Sequence, residues 1–200
     1  MRMTATSADE AEARSRIADL ERRFRDILGS AVFGADEDTL EGSIIGELIR
    51  RGETVATAES VTGGLVSDRL TNVPGSSQAL LGGVAAYTEG AKRRLLGVAE
   101  GLLVEHGAVS EDVTRAMAEG IRTALGSTYG VATTGLAGPT GDGSDRDIGT
   151  CYIAVADSRA TVCRRAIFGG GRMDVKRRAS QAALVGLRAR MLGLDLSKWA

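Results

Sequence analysis

Thr54-Val55-Ala56-Thr57-Ala58-Glu59 runs straight into Ser60-Val61-Thr62-Gly63-Gly64. The first six residues are short, mostly apolar or β-branched, and bounded by Gly52 and by the glycine pair, which predicts a buried strand. Leu65 to about Thr71 then reads as a helix. A buried strand that turns through glycines into a helix is the unit from which α/β folds are built, and such folds bind ligands outside the carboxyl ends of their strands.

On the amino-terminal side, Asp38 with Glu41 forms a capping box opening a helix with Leu40, Ile44 and Leu48 on one face, and Gly52 stops it. Further back, residues 8–28 predict a separate helix, capped by Ser7 with Glu10 and striped by Ile17, Leu20, Phe24 and Ile27. This divides the chain into an N-terminal helix and connector, residues 1–37, and a main domain, residues 38–200.

On the carboxyl side, Pro74-Gly75-Ser76-Ser77 is a turn, residues 83–88 a second strand, and Lys92-Arg93-Arg94 lie on a basic helix. Ser110 caps a helix with Val113, Met117, Ile121 and Ala124 as its apolar stripe. Residues 129–134 predict a strand that opens onto the glycine-rich loop from Gly135 to Gly149. Residues 150–156 and 161–168 predict two strands joined by a short turn, hence antiparallel. A last helix follows Gly169-Gly170-Gly171-Arg172, with Leu184, Leu187 and Met191 inward. The expected fold is α/β: a mixed, mainly parallel sheet flanked by helices on both faces, with a C-terminal hairpin and closing helix.

Composition narrows the function. The 200 residues are 43% hydrophobic and 26% charged, enough for an ordinary core. Aromatics at 4% argue against base-stacking platforms, and a net charge of −1 against a protein that coats nucleic acid, so any anion site must be local. One histidine, His106, and two cysteines, Cys151 and Cys163, offer no CxxC or HExxH spacing. No metal and no cofactor are expected, and the cysteines are expected to be small core residues. No apolar run approaches a membrane span and the N-terminus is polar, so a cytoplasmic protein without membrane contact is expected.

Three strand-to-loop junctions stand out as ligand sites: Ser60, Thr134 with its glycine-rich loop, and the segment Gly169–Arg172. Ser60 suits either a nucleophile or the N-cap of the following helix. Lys92 suits either a base with a depressed pKa or a solvated surface cation. Gly169-Gly170-Gly171-Arg172 suits either an anion cradle or a plain turn, and matches neither the P-loop nor the Rossmann pattern.

Taken together, these stretches resemble the CinA C-terminal family of nicotinamide-nucleotide amidohydrolases. The motifs are Thr-Ala-Glu-Ser-Val-Thr-Gly-Gly from Thr57, Val-Pro-Gly-Ser-Ser from Val73, Gly-Gly-Val-Ala-Ala-Tyr from Gly82, and Ala91-Lys92. Leu95-Leu96-Gly97-Val98, His106-Gly107-Ala108-Val109-Ser110 and Thr134-Gly135-Leu136-Ala137-Gly138-Pro139 continue the order. The resemblance implies a metal-independent enzyme, a homodimer or higher homo-oligomer, that converts nicotinamide mononucleotide to nicotinate mononucleotide and ammonia. It implies Ser60 as nucleophile, Lys92 as base and Tyr87 beside them. It places Thr62, Gly63, Gly64, Thr134, Gly135, Gly170, Gly171 and Arg172 at the substrate, the last at its phosphate. Val61 stands where the family usually has Cys, Gly171 where it has Asp, and the loop 142–148 lacks the family's proline. These departures leave room for another nucleotide-linked amide as substrate, or for a non-catalytic nucleotide-binding module.

Overall fold

The structure is a computed structural model and describes residues 2–194. The main domain expected over 38–200 therefore ends in six residues outside the described ones. The chain forms two compact units, one ending at Thr39 and one beginning at Leu40.

In the first unit, helix α1 spans Glu10–Leu28 and a 3-10 turn follows at Gly29–Ala31. The expected Ser7 cap is corrected to Asp9, whose carboxylate accepts the Ala11 amide at 3.0 Å. Asp9 directly precedes the first helical residue in extended conformation, where a short acidic side chain reaches the free amides. Ser7 instead accepts the Asp9 amide and donates to Glu12. Pairs such as Arg14–Glu10 and Arg25–Glu21 lace the helix surface, and none of its residues is buried. Asp38 turns back to accept the Ala35 amide at 3.0 Å rather than closing a box with Glu41.

The second unit contains α2 (Leu40–Arg51), β1 (Val55–Glu59), α3 (Leu65–Thr71), β2 (Leu80–Ala85), α4 (Glu89–Leu96), α5 (Glu100–His106), α6 (Glu111–Leu125), β3 (Tyr129–Gly135), β4 (Thr150–Ala156), β5 (Thr161–Ile167) and α7 (Arg172–Leu192). The sheet order is β2-β1-β3-β4-β5. β1 pairs in parallel with β2 and β3, while β3–β4 and β4–β5 are antiparallel, so the expected mixed sheet and hairpin are present.

Strand alternation separates two cores. Val55, Val131, Ile153 and Val155 pack with residues of α2, α3 and α7 on one face. Ala56, Ala58, Ala132, Ala154 and Ala156 pack with residues of α4, α5 and α6 on the other. The alanines let α6 lie close to the sheet. At Gly130 a β-carbon would fall 2.0 Å from the Ala118 carbonyl oxygen, so only glycine fits there. The inner face expected for the closing helix is present, with Leu184, Leu187 and Met191 all buried.

Two elements differ from expectation. The second strand lies at 80–85 rather than 83–88, because Thr88 leaves the sheet to cap α4, accepting the Ala91 amide at 3.2 Å. Helix α5 was not anticipated; it has seven residues and a single buried one, Leu103, which is too short for a readable periodicity. No helix among the described residues is long and apolar enough to cross a membrane.

Candidate active site

β1 ends on Glu59, and the backbone crosses to β3 once more where the Ser60 amide donates to the Thr133 carbonyl at 2.9 Å. Helix α3 does not begin until Leu65, behind Gly64 at φ +102°. Ser60 is thus not the cap of α3. Glu59 serves that end. Its carboxylate is 1% exposed and accepts the amides of Gly64 (2.9 Å), Val66 (3.0 Å) and Ser67 (2.8 Å). The hydroxyls of Thr62 (2.7 Å) and Ser67 (2.8 Å) donate to it as well. A buried carboxylate is tolerated when several donors and a helix N-terminus meet it.

This changes what the loop can offer a substrate. The Gly64 amide, expected to face the substrate, is taken by Glu59, and the buried Thr62 hydroxyl is shared between Glu59 and Thr133. The amides of Val61, Thr62 and Gly63 find no acceptor among the described residues. Those three are the donors left for a developing oxyanion. The Val61 side chain is buried in the α7-side core, so an apolar residue suits the position and leaves its amide in place.

Ser60 meets Lys92. The lysine sits in the first turn and a half of α4, is 1% exposed, and its Nζ lies 3.1 Å from Ser60 Oγ and 2.9 Å from the Ala86 carbonyl oxygen. No carboxylate among the described residues lies within 4.0 Å of it. Burial lowers its pKa from the ordinary lysine value, and the more distant Glu89 offsets only part of that. His106 lies at the end of α5, near Glu105 and Asp112, and makes no hydrogen bond to Ser60.

Other expected residues go elsewhere. The parallel register that pairs Glu59 with Thr133 brings Thr134 alongside Ser60. The Thr134 hydroxyl is fully buried, however, and bonds Thr114 Oγ1 at 2.7 Å. Since Thr114 donates to the Ser110 carbonyl, Thr134 is the donor of that pair. At Gly135 a β-carbon would stand 2.6 Å from Cys151 Sγ, so that glycine serves the β3–β4 approach.

Tyr87 pairs with Arg172 rather than with Ser60 or Lys92. Arg172 Nη2 donates to the Tyr87 hydroxyl at 2.5 Å and Nη1 to the Gly138 carbonyl at 2.9 Å, so both partners of this cation are neutral. Gly170 takes φ +101°. The Gly171 amide, expected to face a phosphate, instead donates to Asp174 at 3.0 Å. Asp174 thereby puts a carboxylate at the N-terminus of α7, although the family's Asp at position 171 is absent.

The family model described as the CinA C-terminal domain matches residues 37–191. The chain belongs to that family. A CinA-like protein of Frankia casuarinae is 44% identical over 99% of this chain, and one of Syntrophus aciditrophicus 46% identical over 93%. The chain spans less than half of those relatives, 46% and 44% of their lengths. Among solved structures, a CinA superfamily protein of Klebsiella pneumoniae superposes with a TM-score of 0.75 at 30% identity. That match covers 77% of this chain and 96% of the other. The competence/damage-inducible protein CihA of Agrobacterium tumefaciens gives 0.71 at 34%, over 76% and 94%.

Within this CinA domain, sequence reading missed two residues. Glu59 was visible as the one acidic residue at the end of an otherwise buried strand. Lys176 gave no signal, because its place beside the Ser60 loop depends on how α7 crosses the sheet. Cys151 and Cys163 are buried and partly buried, and burial pushes both thiols up to about 12, which leaves them as small core residues. No cluster of three or more His, Cys, Asp or Glu among the described residues could hold a metal ion.

Proposed function

We propose that this CinA domain hydrolyses the carboxamide of nicotinamide mononucleotide, releasing ammonia and nicotinate mononucleotide. The observation that carries the reading is the buried Lys92 amine, without a carboxylate partner among the described residues, 3.1 Å from Ser60 Oγ. Desolvation favours the neutral amine, which keeps one N–H on Ala86 and turns its lone pair to the serine.

In this mechanism Lys92 takes the hydroxyl proton as Ser60 Oγ bonds to the amide carbon. The carbonyl electrons move onto oxygen, facing the amides of Val61, Thr62 and Gly63. As the tetrahedral adduct collapses, the C–N bond breaks and Lys92 returns its proton to nitrogen, so ammonia leaves and an ester to Ser60 remains. Water, deprotonated by Lys92, cleaves that ester and restores the serine. The substrate's pyridinium withdraws electrons from the amide, which suits a serine activated only by an amine. Tyr87 and Arg172 lie outside these proton transfers and suit recognition of the anionic nucleotide.

The test is ammonia release from nicotinamide mononucleotide by wild type and Ser60→Ala in parallel. Turnover in the wild type alone supports the reading; equal turnover in both removes Ser60 from the chemistry.

A further inference from the structure

Lys176 lies on α7 one turn beyond Arg172, half-buried. Its ammonium is 3.5 Å from where a β-carbon on Gly63 would stand. Gly63 turns with φ +64° and is exposed, so no side chain separates the cation from the Ser60 loop. The Lys176 side chain makes no hydrogen bond and has no carboxylate within 4.0 Å among the described residues. Arg172, one turn earlier on the same helix, also lacks a carboxylate partner among the described residues. Two cations a turn apart on one helix, in a chain of net charge −1, make a local field that draws an anion.

The glycine segment before α7 is a poor place for that anion, because Asp174 already occupies its Gly171 amide and would repel a second negative charge. Lys176 lies a turn further along α7, beyond Asp174 and beside the exposed Gly63, where no carboxylate among the described residues lies within 4.0 Å of it. An ammonium acts as a point charge and needs no planar match, so it suits a phosphate whose other oxygens are held by a guanidinium. We infer that Lys176 is the second cation of the substrate's phosphate site, paired with Arg172, and so determines specificity for the phosphorylated nucleotide. The identity of the ligand rests on the amidase reading; the anion site does not.

The experiment compares wild type, Lys176→Met and Lys176→Arg on nicotinamide mononucleotide and on nicotinamide riboside. Binding of both compounds is measured by calorimetry alongside turnover. Lys176→Met is expected to raise KM for the nucleotide by about 10–100-fold with kcat little changed, as loss of a partly exposed charge contact to phosphate implies. The riboside should be unaffected, and Lys176→Arg should recover most of the nucleotide affinity. Nucleotide affinity in Lys176→Met equal to wild type overturns the inference, whatever the turnover. An equal loss on both compounds overturns it too, assigning Lys176 to the loop rather than the phosphate. Failure of wild type to bind the nucleotide overturns both readings. Phosphate-dependent binding that Lys176→Met loses, without ammonia release by wild type, keeps the anion site and removes the amidase reading.

Discussion

The Lys92 amine and the Ser60 hydroxyl lie 3.1 Å apart, brought together by a helix after β2 and a loop after β1, and the amine's second contact is the Ala86 carbonyl. The lysine is almost wholly buried without a carboxylate partner among the described residues, an arrangement that costs the fold stability and weakens the amine's hold on its proton.

That tension is measurable. A lysine whose folded pKa is lowered binds its proton more weakly than the unfolded chain does. Folding stability therefore rises with pH between the lowered folded value and the ordinary lysine value of about 10.4, and the cost is fully present below that window. Lys92→Met should abolish turnover yet stabilise the domain by about 1 kcal/mol at neutral pH, since an apolar chain of similar length removes the cost of desolvating the amine. Lys92→Arg should be as inactive as Lys92→Met, because a guanidinium keeps its proton. In the wild type the acid limb of kcat/KM should fall below ordinary lysine values. Full activity in Lys92→Arg would show that Lys92 is not the base.

Ser60→Ala tests a point that sequence left open. Because α3 starts at Leu65 and its end is capped by Glu59, Ser60 contributes no cap. The melting temperature of Ser60→Ala should stay close to that of wild type, without the loss of about 1 kcal/mol that removal of an N-cap produces. A drop of that size would return Ser60 to a capping role.

Glu59 should behave in the opposite way. Glu59→Gln keeps the volume but turns an NH2 group toward amides and hydroxyls that need acceptors. A destabilisation of about 2–3 kcal/mol is expected from the donors left unsatisfied. The residual folded protein should lose kcat more than KM, since the loop it shapes carries Ser60 and the amides at 61–63. Unchanged kcat in Glu59→Gln would mean that the loop holds its shape without the carboxylate.

The parts legible in sequence were those set by local chemistry. The run Val55–Glu59 and the short strands predicted at 129–134 and 150–156 announced a sheet, and the stripe of α6 and the inner face of α7 announced its covers. Ser60, Lys92 and Arg172 were named from motifs, and the structure brings Ser60 and Lys92 together. What stayed hidden was donor bookkeeping over long separations. Thr134 looks like a free hydroxyl until Thr114, twenty residues earlier, accepts its hydrogen bond. The Gly171 amide looks free until Asp174 curls back. Lys176 is one of several basic residues on α7 until α7 is laid beside Gly63.

Away from the site, Asp157 should govern acid stability. It lies after β4 and is nearly buried; burial alone would raise its pKa, but Arg190 and the amides of Ala160 and Arg159 outweigh this and hold it well below the usual carboxylate range. A carboxyl with a depressed folded pKa contributes stability that is present above its unfolded value of about 3.9 and is lost as pH falls through the folded value. Asp157→Asn should therefore flatten the decline in melting temperature below about pH 4 while lowering it at pH 7. Parallel pH curves for variant and wild type would remove Asp157 from that transition.

Arg172 and Tyr87 separate recognition from chemistry. The Arg172 guanidinium is held by the Tyr87 hydroxyl and the Gly138 carbonyl, two neutral acceptors, so its charge is free to act on an anion while its position is fixed from both sides. Arg172→Ala should cost the nucleotide about 2–4 kcal/mol in kcat/KM, by comparison with losses when one partner of a charged pair is removed. Nicotinamide riboside should be almost indifferent, because it brings no phosphate. Tyr87→Phe leaves the charge and removes one of the two anchors. It should therefore give a smaller loss on the nucleotide, about 1 kcal/mol, the net worth of one hydrogen bond, and again spare the riboside. A Tyr87→Phe variant that loses riboside and nucleotide turnover equally would contradict this division and place the phenol at the reacting amide.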